Sequence, residues 1–308
     1  MHGLISIVVP FHNSERYLAE SVESILAQSC AHWELLLVDD GSTDRSAELA
    51  RTLVSHRPEA IRYLAQPAGN RGESAARNLG ARNARGTLLA FLDSDDVWLP
   101  NKLAEQSAIL EAYPEVGLVY GHSEYWRDWD TESGLPQSNS IPSLSPADRI
   151  FHPPELFVQS YPLGPWGAPC PSSFLVRRTA FDRVGGFDES FHPGTFQLYE
   201  DVAFLSKLAL AVPIYVSSAN WERYRVSPRS EWIVAQNTAM DEAARRFYFR
   251  WMQHYLAAKS PAETDLLRMV NRLTWSYRLP LPPALAMLAR RAVRRLFRPR
   301  VRPDAPKY

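Results

Sequence analysis

One feature limits what this chain can become more than any other. Through roughly its first 120 residues, apolar runs of strand length alternate with stretches whose apolar residues recur every three or four positions. "LISIVV", residues 4–9, reads as a buried strand, and Leu18, Val22, Ile25 and Leu26 follow at helical spacing, with Asn13 offered as the cap. "ELLLVDD" is a second strand ending in acid, and Ser42 is placed to cap a helix through "TDRSAELARTLV". "IRYLA" is a third strand, and "ESAARNLGARNA" a helix that leads into "TLLAFLDSDD". This alternation predicts an α/β fold with a parallel sheet and helices on both faces. In such sheets ligands bind beyond the carboxyl ends of the strands. Pro10 to Asn13, Asp39 to Ser42 and Asp93 to Asp96 all follow strands, so three polar clusters are expected on one rim. No G-x-G-x-x-G follows the first strand, which argues against a dinucleotide-binding Rossmann fold.

The third cluster is chemically the most demanding. Asp93, Asp95 and Asp96 crowd three carboxylates onto the end of an apolar run, and like charges so close raise one another's pKa. A bound cation or open solvent relieves this, so a metal site and a solvated turn before Pro100 are both consistent with the residues alone.

Beyond a helix near Pro100 and the strand "VGLVY", residues 121–171 are rich in proline, serine and aromatics and read as a long irregular binding segment. Order returns with "SSFLVRR", "TAFDRVGGFDES" and a helix near "EDVAFLSKLALA", with Val202, Leu205, Ala209 and Val212 on one face, and then the strand "IYVSS". From about Trp221 the chain reads as helices with basic decoration, and no internal repeat is visible.

At 308 residues and 45% hydrophobic content the chain can bury a large core, as one large or two smaller domains. A formal net charge of zero gives no global pointer to nucleic acid. Cys30 and Cys170 are far apart without C-x-x-C spacing, so reduced, packed thiols and a cytoplasmic setting are expected. "MHGLISIVVPF" has too short an apolar part and no basic start, and so reads as a first strand rather than a signal peptide; nothing else is long enough to span a bilayer.

Taken together, "SIVVPFHN", "LLLVDDGSTD", "GESAARNLGARNARGTLLAFLDSDD", "FLVRRTAFDRVGGFDES" and "YEDVAFLSKLA" resemble, in order and spacing over roughly residues 4–230, a family 2 glycosyltransferase with the GT-A fold. The resemblance implies a mostly parallel central sheet flanked by helices, with a helical C-terminal extension. It divides the chain into a catalytic domain at 1–220, with a nucleotide-binding half to about 120 and an acceptor-binding half from about 121, and an extension at 221–308. It also assigns roles. Asp93-Ser94-Asp95 matches the DXD motif, which holds Mg²⁺ or Mn²⁺ against the diphosphate of a nucleotide-sugar. Asp95 is the first choice as metal ligand, Asp93 the second or a ribose partner, and Asp96 orients the loop. Such cations take one or two carboxylates and complete their shell with phosphates and water.

In the same resemblance Asp39 accepts a hydrogen bond from a base such as uracil, while Asp40 and Ser42 read equally well as turn residues. Pro10, His12, Asn13 and Glu15 match the first nucleotide-binding segment, with His12 where an aromatic such as tyrosine is commoner. Arg77 matches an arginine near the nucleotide, suited to phosphate. Glu200-Asp201 matches the ED motif, whose aspartate is the catalytic base in inverting members, and its place at a helix N-terminus is expected to keep Asp201 ionised at neutral pH. Gly185 to Asp188 shape the turn beneath. One position departs from the pattern: "YRVSPRS" carries Ser227 where many relatives have histidine, leaving Arg225, Arg229 or Ser230 to cover the diphosphate.

The expected activity is sugar transfer from a nucleotide-diphosphate donor, a UDP-sugar first among them, to a saccharide or glycolipid hydroxyl in bacterial surface-polysaccharide or glycolipid synthesis. Trp126, Trp129, Tyr161 and Trp166 are offered as an acceptor surface. The rivals are a sugar-phosphate nucleotidyltransferase, whose glycine-rich basic loop after the first strand is missing here, and a nucleotide-sugar-binding module without turnover. In the tail, Leu285, Leu288, Ala292, Leu296 and Phe297 share one helical face and Arg290, Arg291, Arg294, Arg295 and Arg298 the other. Residues 284–300 therefore suggest either an interfacial helix on the anionic inner face of the cell membrane or a helix docked on its own domain.

Overall fold

The computed structural model describes residues 3–130, 134, 136–143, 145–194, 197–228, 240–259 and 264–276. The expected alternation is present: β1 (Ile5–Phe11), α1 (Leu18–Leu26), β2 (Trp33–Asp39), α2 (Ser46–His56), β3 (Ile61–Ala65), α3 (Glu73–Asn83) and β4 (Leu88–Phe91). There follow β5 (Val97–Trp98), α4 (Lys102–Ala112), β6 (Leu118–Trp126), β7 (Arg149–Phe151), α5 (Glu155–Gln159), a 3₁₀ turn (Pro171–Ser173), β8 (Leu175–Arg177) and α6 (Arg178–Arg183). The described chain closes with α7 (Glu200–Ala211), β9 (Ile214–Arg225), α8 (Met240–Lys259) and α9 (Thr264–Ser276).

The strands form one mixed sheet in the order β3-β2-β1-β4-β8-β6-β9-β5, with β7 on β9. The first four of these are mutually parallel; β8 enters antiparallel between β4 and β6, and β9 again runs parallel to β6. The sheet is buried on both faces. In β1 and β2 the side chains of Val8, Leu36 and Val38 enter one core, and those of Ile7, Val9, Leu35 and Leu37 the other, which is why both strands are apolar without interruption. On the first face α3 lies so close that a Cβ at Gly80 would come within 2.4 Å of Val8.

Four local expectations are corrected. Asn13 does not cap α1, which starts after Tyr17 without a side-chain cap; Asn13 instead sits at φ 52° and its Oδ1 accepts the N–H groups of Thr43 and Asp44. Ser42 does not cap α2, because its hydroxyl accepts the Asn13 N–H, and the Ser46 N–H is taken by Asp44 Oδ1. The segment 121–171 is less irregular than its composition suggests, containing the outer part of β6 and all of β7 and α5. Finally, β9 continues to Arg225, past Trp221 where the helical extension was expected to begin, since its outer half finds pairing partners in β6 and β5. Within that extension, α8 buries Tyr248, Phe249, Met252 and Leu256 in the same core as Phe191 and Phe204. The basic amphipathic tail, residues 284–300, lies outside the described residues.

Candidate active site

The carboxyl ends of β1, β2 and β4 do meet on one rim. Phe11 pairs in register with Asp39, the Asp40 N–H donates to the Phe11 carbonyl (2.9 Å), and the Leu92 N–H to the Val8 carbonyl (3.1 Å). A cavity of about 260 Å³ opens there, lined among others by Pro10, His12, Asn13, Asp40, Asp93 and Asp95. His12 is steered by a hydrogen bond from Nδ1 to the Asp40 carbonyl (3.1 Å). Glu15 has a framework role: its carboxylate accepts the Arg45 N–H (3.0 Å) and its own N–H donates to Asp44 Oδ2 (3.2 Å), locking the first loop to the start of α2.

The two aspartates after β2 are treated differently. Asp39 is buried, with Oδ1 accepting the Ser42 N–H (2.8 Å) and Oδ2 the Tyr63 hydroxyl (2.7 Å). Burial and that carboxylate push the Tyr63 phenol up to about 12. Asp40 is the one that lines the cavity, fixed by the N–H groups of Arg71 (2.9 Å) and Gly72 (2.8 Å), and burial raises its pKa.

The acidic loop after β4 is not a solvated turn. Asp96 is fully buried, with Oδ2 accepting the Ser172 hydroxyl (2.6 Å) and Oδ1 the Arg225 N–H (2.9 Å). The Ser21 hydroxyl serves the carbonyls of Ser94 and Asp96, and the Asp93 N–H donates to Ser172 Oγ. Burial, then the Asp93 charge, push Asp95 up to about 6, and burial, then the Asp95 and Asp93 charges, raise Asp96 well above the usual carboxylate range. A cation would relieve that repulsion. Among the described residues no three or more His, Cys, Asp or Glu side chains are arranged to hold a metal by themselves. Asp93 and Asp95 on the cavity wall nevertheless fit a Mg²⁺ or Mn²⁺ whose shell is completed by substrate phosphates and water.

Glu200 and Asp201 open α7, after Tyr199 in the left-handed region at φ 77°. The two acidic motifs are joined by Arg77. Fully buried, Arg77 donates from Nη2 to Asp93 Oδ1 (2.7 Å) and Glu73 Oε2 (2.7 Å), and from Nη1 to Glu200 Oε1 (3.1 Å). Its partners hold its pKa well above the usual arginine value against the effect of burial. Sequence matching aims this residue at phosphate; in the structure its charge faces carboxylates. Burial pushes Asp201 up to about 6, outweighing the helix N-terminus that was expected to favour its ionised form, and burial followed by the Asp201 charge raises Glu200 further.

Sequence reasoning offered Arg225 for the diphosphate and missed its role as a support of the acidic loop, and it missed Glu222 and Lys102 altogether. Arg225 donates from Nε to the Asp95 carbonyl (2.6 Å) while its guanidinium lies 4.4 Å, 4.8 Å and 4.9 Å from the ring centres of Trp126, Trp129 and Tyr17. It therefore grips the acidic loop by its main chain; Arg229 and Ser230 lie outside the described residues. Trp126 and Trp129 flank this arginine, Tyr161 stacks on Tyr199, and Trp166 packs edgewise on Phe151, so each of these four part-buried aromatics has a packing partner in the fold. Behind the loop, buried Glu222 accepts from the Ser123 hydroxyl and the Cys170 thiol, and buried Lys102 donates to Gln106 and the Ser173 carbonyl. Cys170 and Cys30 are both free thiols. Glu222 stands near Asp96 because β9 pairs with β5, which sets it opposite Trp98, and no local signal announces it.

A model of the family described as "Glycosyl transferase family 2" matches residues 6–185, which include the cavity loops and the acidic turn and stop short of Glu200 and Asp201. The putative teichuronic acid biosynthesis glycosyltransferase TuaG of Bacillus subtilis is 33% identical over 154 residues, 49% of this chain and 54% of that protein. The chain spans about a fifth of the length of some curated relatives that it matches and about half of others. Among solved structures, S. aureus TarS in complex with UDP-GlcNAc superposes with a TM-score of 0.65 at 17% identity, covering 89% of this chain and 72% of that one. The mannosyltransferase PcManGT from Pyrobaculum calidifontis, in complex with GDP-Man and Mn²⁺, gives 0.57 at 18% identity, covering 97% and 82%. At these identities the likeness is one of fold.

Proposed function

The chain belongs to glycosyl transferase family 2 and has the GT-A fold, and on that footing we propose that it is a metal-dependent, inverting transferase. It moves a sugar from a nucleotide-diphosphate donor, a UDP-sugar first among the candidates, to a saccharide or glycolipid hydroxyl. The observation that carries this reading is Arg77, which ties the Asp93 carboxylate of the acidic loop and the Glu200 carboxylate of α7 to one buried cation at the edge of the rim cavity.

In this reading the nucleotide lies over Pro10, His12 and Asn13, with Asp40 in the cavity wall and Asp39 behind it. Asp95 and Asp93 would hold a divalent cation, which would supply charge neutralisation for the departing diphosphate. Asp201 accepts the proton of the acceptor hydroxyl as that oxygen attacks the anomeric carbon from the face opposite the nucleotide. The bond from that carbon to the diphosphate oxygen breaks, and the electron pair leaves with the nucleoside diphosphate. A carboxylate pushed up to about 6 is still mostly ionised at neutral pH and is a stronger base than an ordinary aspartate. Glu200 and Arg77 hold the base and the acidic loop in fixed relation.

The name of TuaG supports a place in surface-polysaccharide synthesis, and a cytoplasmic enzyme working at the inner face of the membrane fits such an acceptor. Among the described residues no helix is long and apolar enough to cross a membrane. The test is incubation with a panel of sugar nucleotides and Mn²⁺ or Mg²⁺, reading nucleoside diphosphate release and the anomeric configuration of the product by NMR. Inverted product from one nucleotide class is expected. Donor binding without transfer or hydrolysis, or consumption of a nucleoside triphosphate with release of pyrophosphate, contradicts it.

A further inference from the structure

We infer that α8, which lies beyond the family-matched segment, is a working part of the active site: it holds the loop leading into Glu200 and Asp201 through a hook on Tyr199. This rests on reading Asp201 as the base. Among the described residues Tyr199 is one of three non-glycine residues with positive φ, and a left-handed backbone at a bulky residue is strained and persists only where the surroundings over-determine it.

The surroundings do so here. The Tyr199 hydroxyl donates to Asp241 Oδ1 (2.6 Å) and accepts from Arg245 Nε (3.1 Å), both on α8 one turn apart, and Arg245 also donates to the other oxygen of Asp241. The ring is stacked on Tyr161 at 6.1 Å and 19°. Trp251 Nε1 donates to Asp188 Oδ2 (2.6 Å), so α8 holds Asp188 as well as Tyr199. The backbone of Tyr199 in turn accepts the Ala203 N–H (2.8 Å) in the first turn of α7, the turn that carries Asp201. Tyr199, Asp241 and Arg245 are thus positioning residues, acting on the base through the turn that presents it.

The test uses the full chain with Tyr199→Phe, Asp241→Ala and Asp241→Asn. Hydrogen–deuterium exchange, which needs no substrate, is expected to quicken at least tenfold at residues 200–203 in Tyr199→Phe and Asp241→Ala while β1, β2 and β4 keep their protection; unchanged exchange at 200–203 overturns the inference. In turnover, the same two variants should lose tenfold or more in kcat with the donor KM unchanged, and Asp241→Asn, which keeps an acceptor oxygen, should recover most of it. Wild-type kcat in both overturns the inference even if exchange quickens. A wild type that turns over no sugar nucleotide sinks the transferase reading instead, and the exchange result still decides whether α8 holds the loop.

Discussion

Arg77 Nη2 lies 2.7 Å from Asp93 Oδ1, inside the protein, and the other end of the same guanidinium reaches the α7 carboxylate of Glu200 at 3.1 Å. Two motifs more than a hundred residues apart in sequence are thereby kept in register by one fully buried cation. A buried charge left without its partner costs about 3–5 kcal/mol. Arg77→Met should therefore lower the melting temperature by about 5–15 °C. Arg77→Lys, which keeps the charge and loses the fork, should fall between. Calorimetric melting of the three proteins is the check, and an unchanged Tm in Arg77→Met contradicts the bridge.

Asp201→Asn removes the base and keeps the shape. Turnover should fall by about 10²–10⁴ while donor affinity stays within twofold, since in the proposed mechanism the side chain faces the acceptor hydroxyl and not the nucleotide. Because burial pushes Asp201 up to about 6 and only the ionised form accepts a proton, kcat at saturating donor and cation should fall as pH drops through about 6 and level off above pH 7. A pH–rate profile that stays flat down to pH 4.5 excludes Asp201 as the base.

Between three aromatic rings the Arg225 guanidinium holds the Asp95 carbonyl, while the Arg225 main-chain N–H donates to the Asp96 carboxylate. A hydrogen bond to a charged group contributes about 1.5–3 kcal/mol. Arg225→Lys should thus weaken Mn²⁺ binding in the presence of nucleotide about tenfold or more, because a lysine keeps the main-chain N–H to Asp96 but lacks the planar fork that reaches the Asp95 carbonyl and Glu20 together and stacks between the rings. Titration of Mn²⁺ by electron paramagnetic resonance gives the number directly.

Glu222 is fully buried, and burial pushes it up to about 7 despite the opposing influence of Lys102. The folded protein keeps a proton there that the unfolded chain has released above about pH 4.5, so the stability linked to this group is present at low pH and lost as pH rises through about 7. Glu222→Gln has nothing to ionise. The difference in unfolding free energy between variant and wild type should move by about 2 kcal/mol in favour of the variant from pH 5 to pH 8, measured by urea titration.

Much of this was legible in the sequence. Uninterrupted apolar strands in "LISIVV" and "ELLLV", each followed by a polar cluster, predict the parallel half of the sheet and the rim on which Asp40, Asp93 and Asp95 meet. The remainder depends on contacts made across long stretches of chain. Asn13 and Ser42 have the chemistry of helix caps, and each instead serves the neighbouring loop, which local spacing cannot reveal. Which of Asp39 and Asp40 faces the cavity turns on Tyr63, on a different strand. Arg77 looks like a phosphate ligand until three carboxylates from three segments are found around it. The aromatics Trp126 and Trp129 look like a sugar platform, and their shared partner Arg225 comes from a strand about a hundred residues on.

The measurement closest to the centre of this account is isothermal calorimetry of nucleoside diphosphates and sugar nucleotides with Mn²⁺, with Mg²⁺ and with chelator, on wild type and Asp95→Asn. Binding of one nucleotide class that needs the cation and weakens at least tenfold in Asp95→Asn is the predicted result. Binding indifferent to both cation and Asp95, or no nucleotide binding at all, would contradict the donor site built here around Asp93 and Asp95.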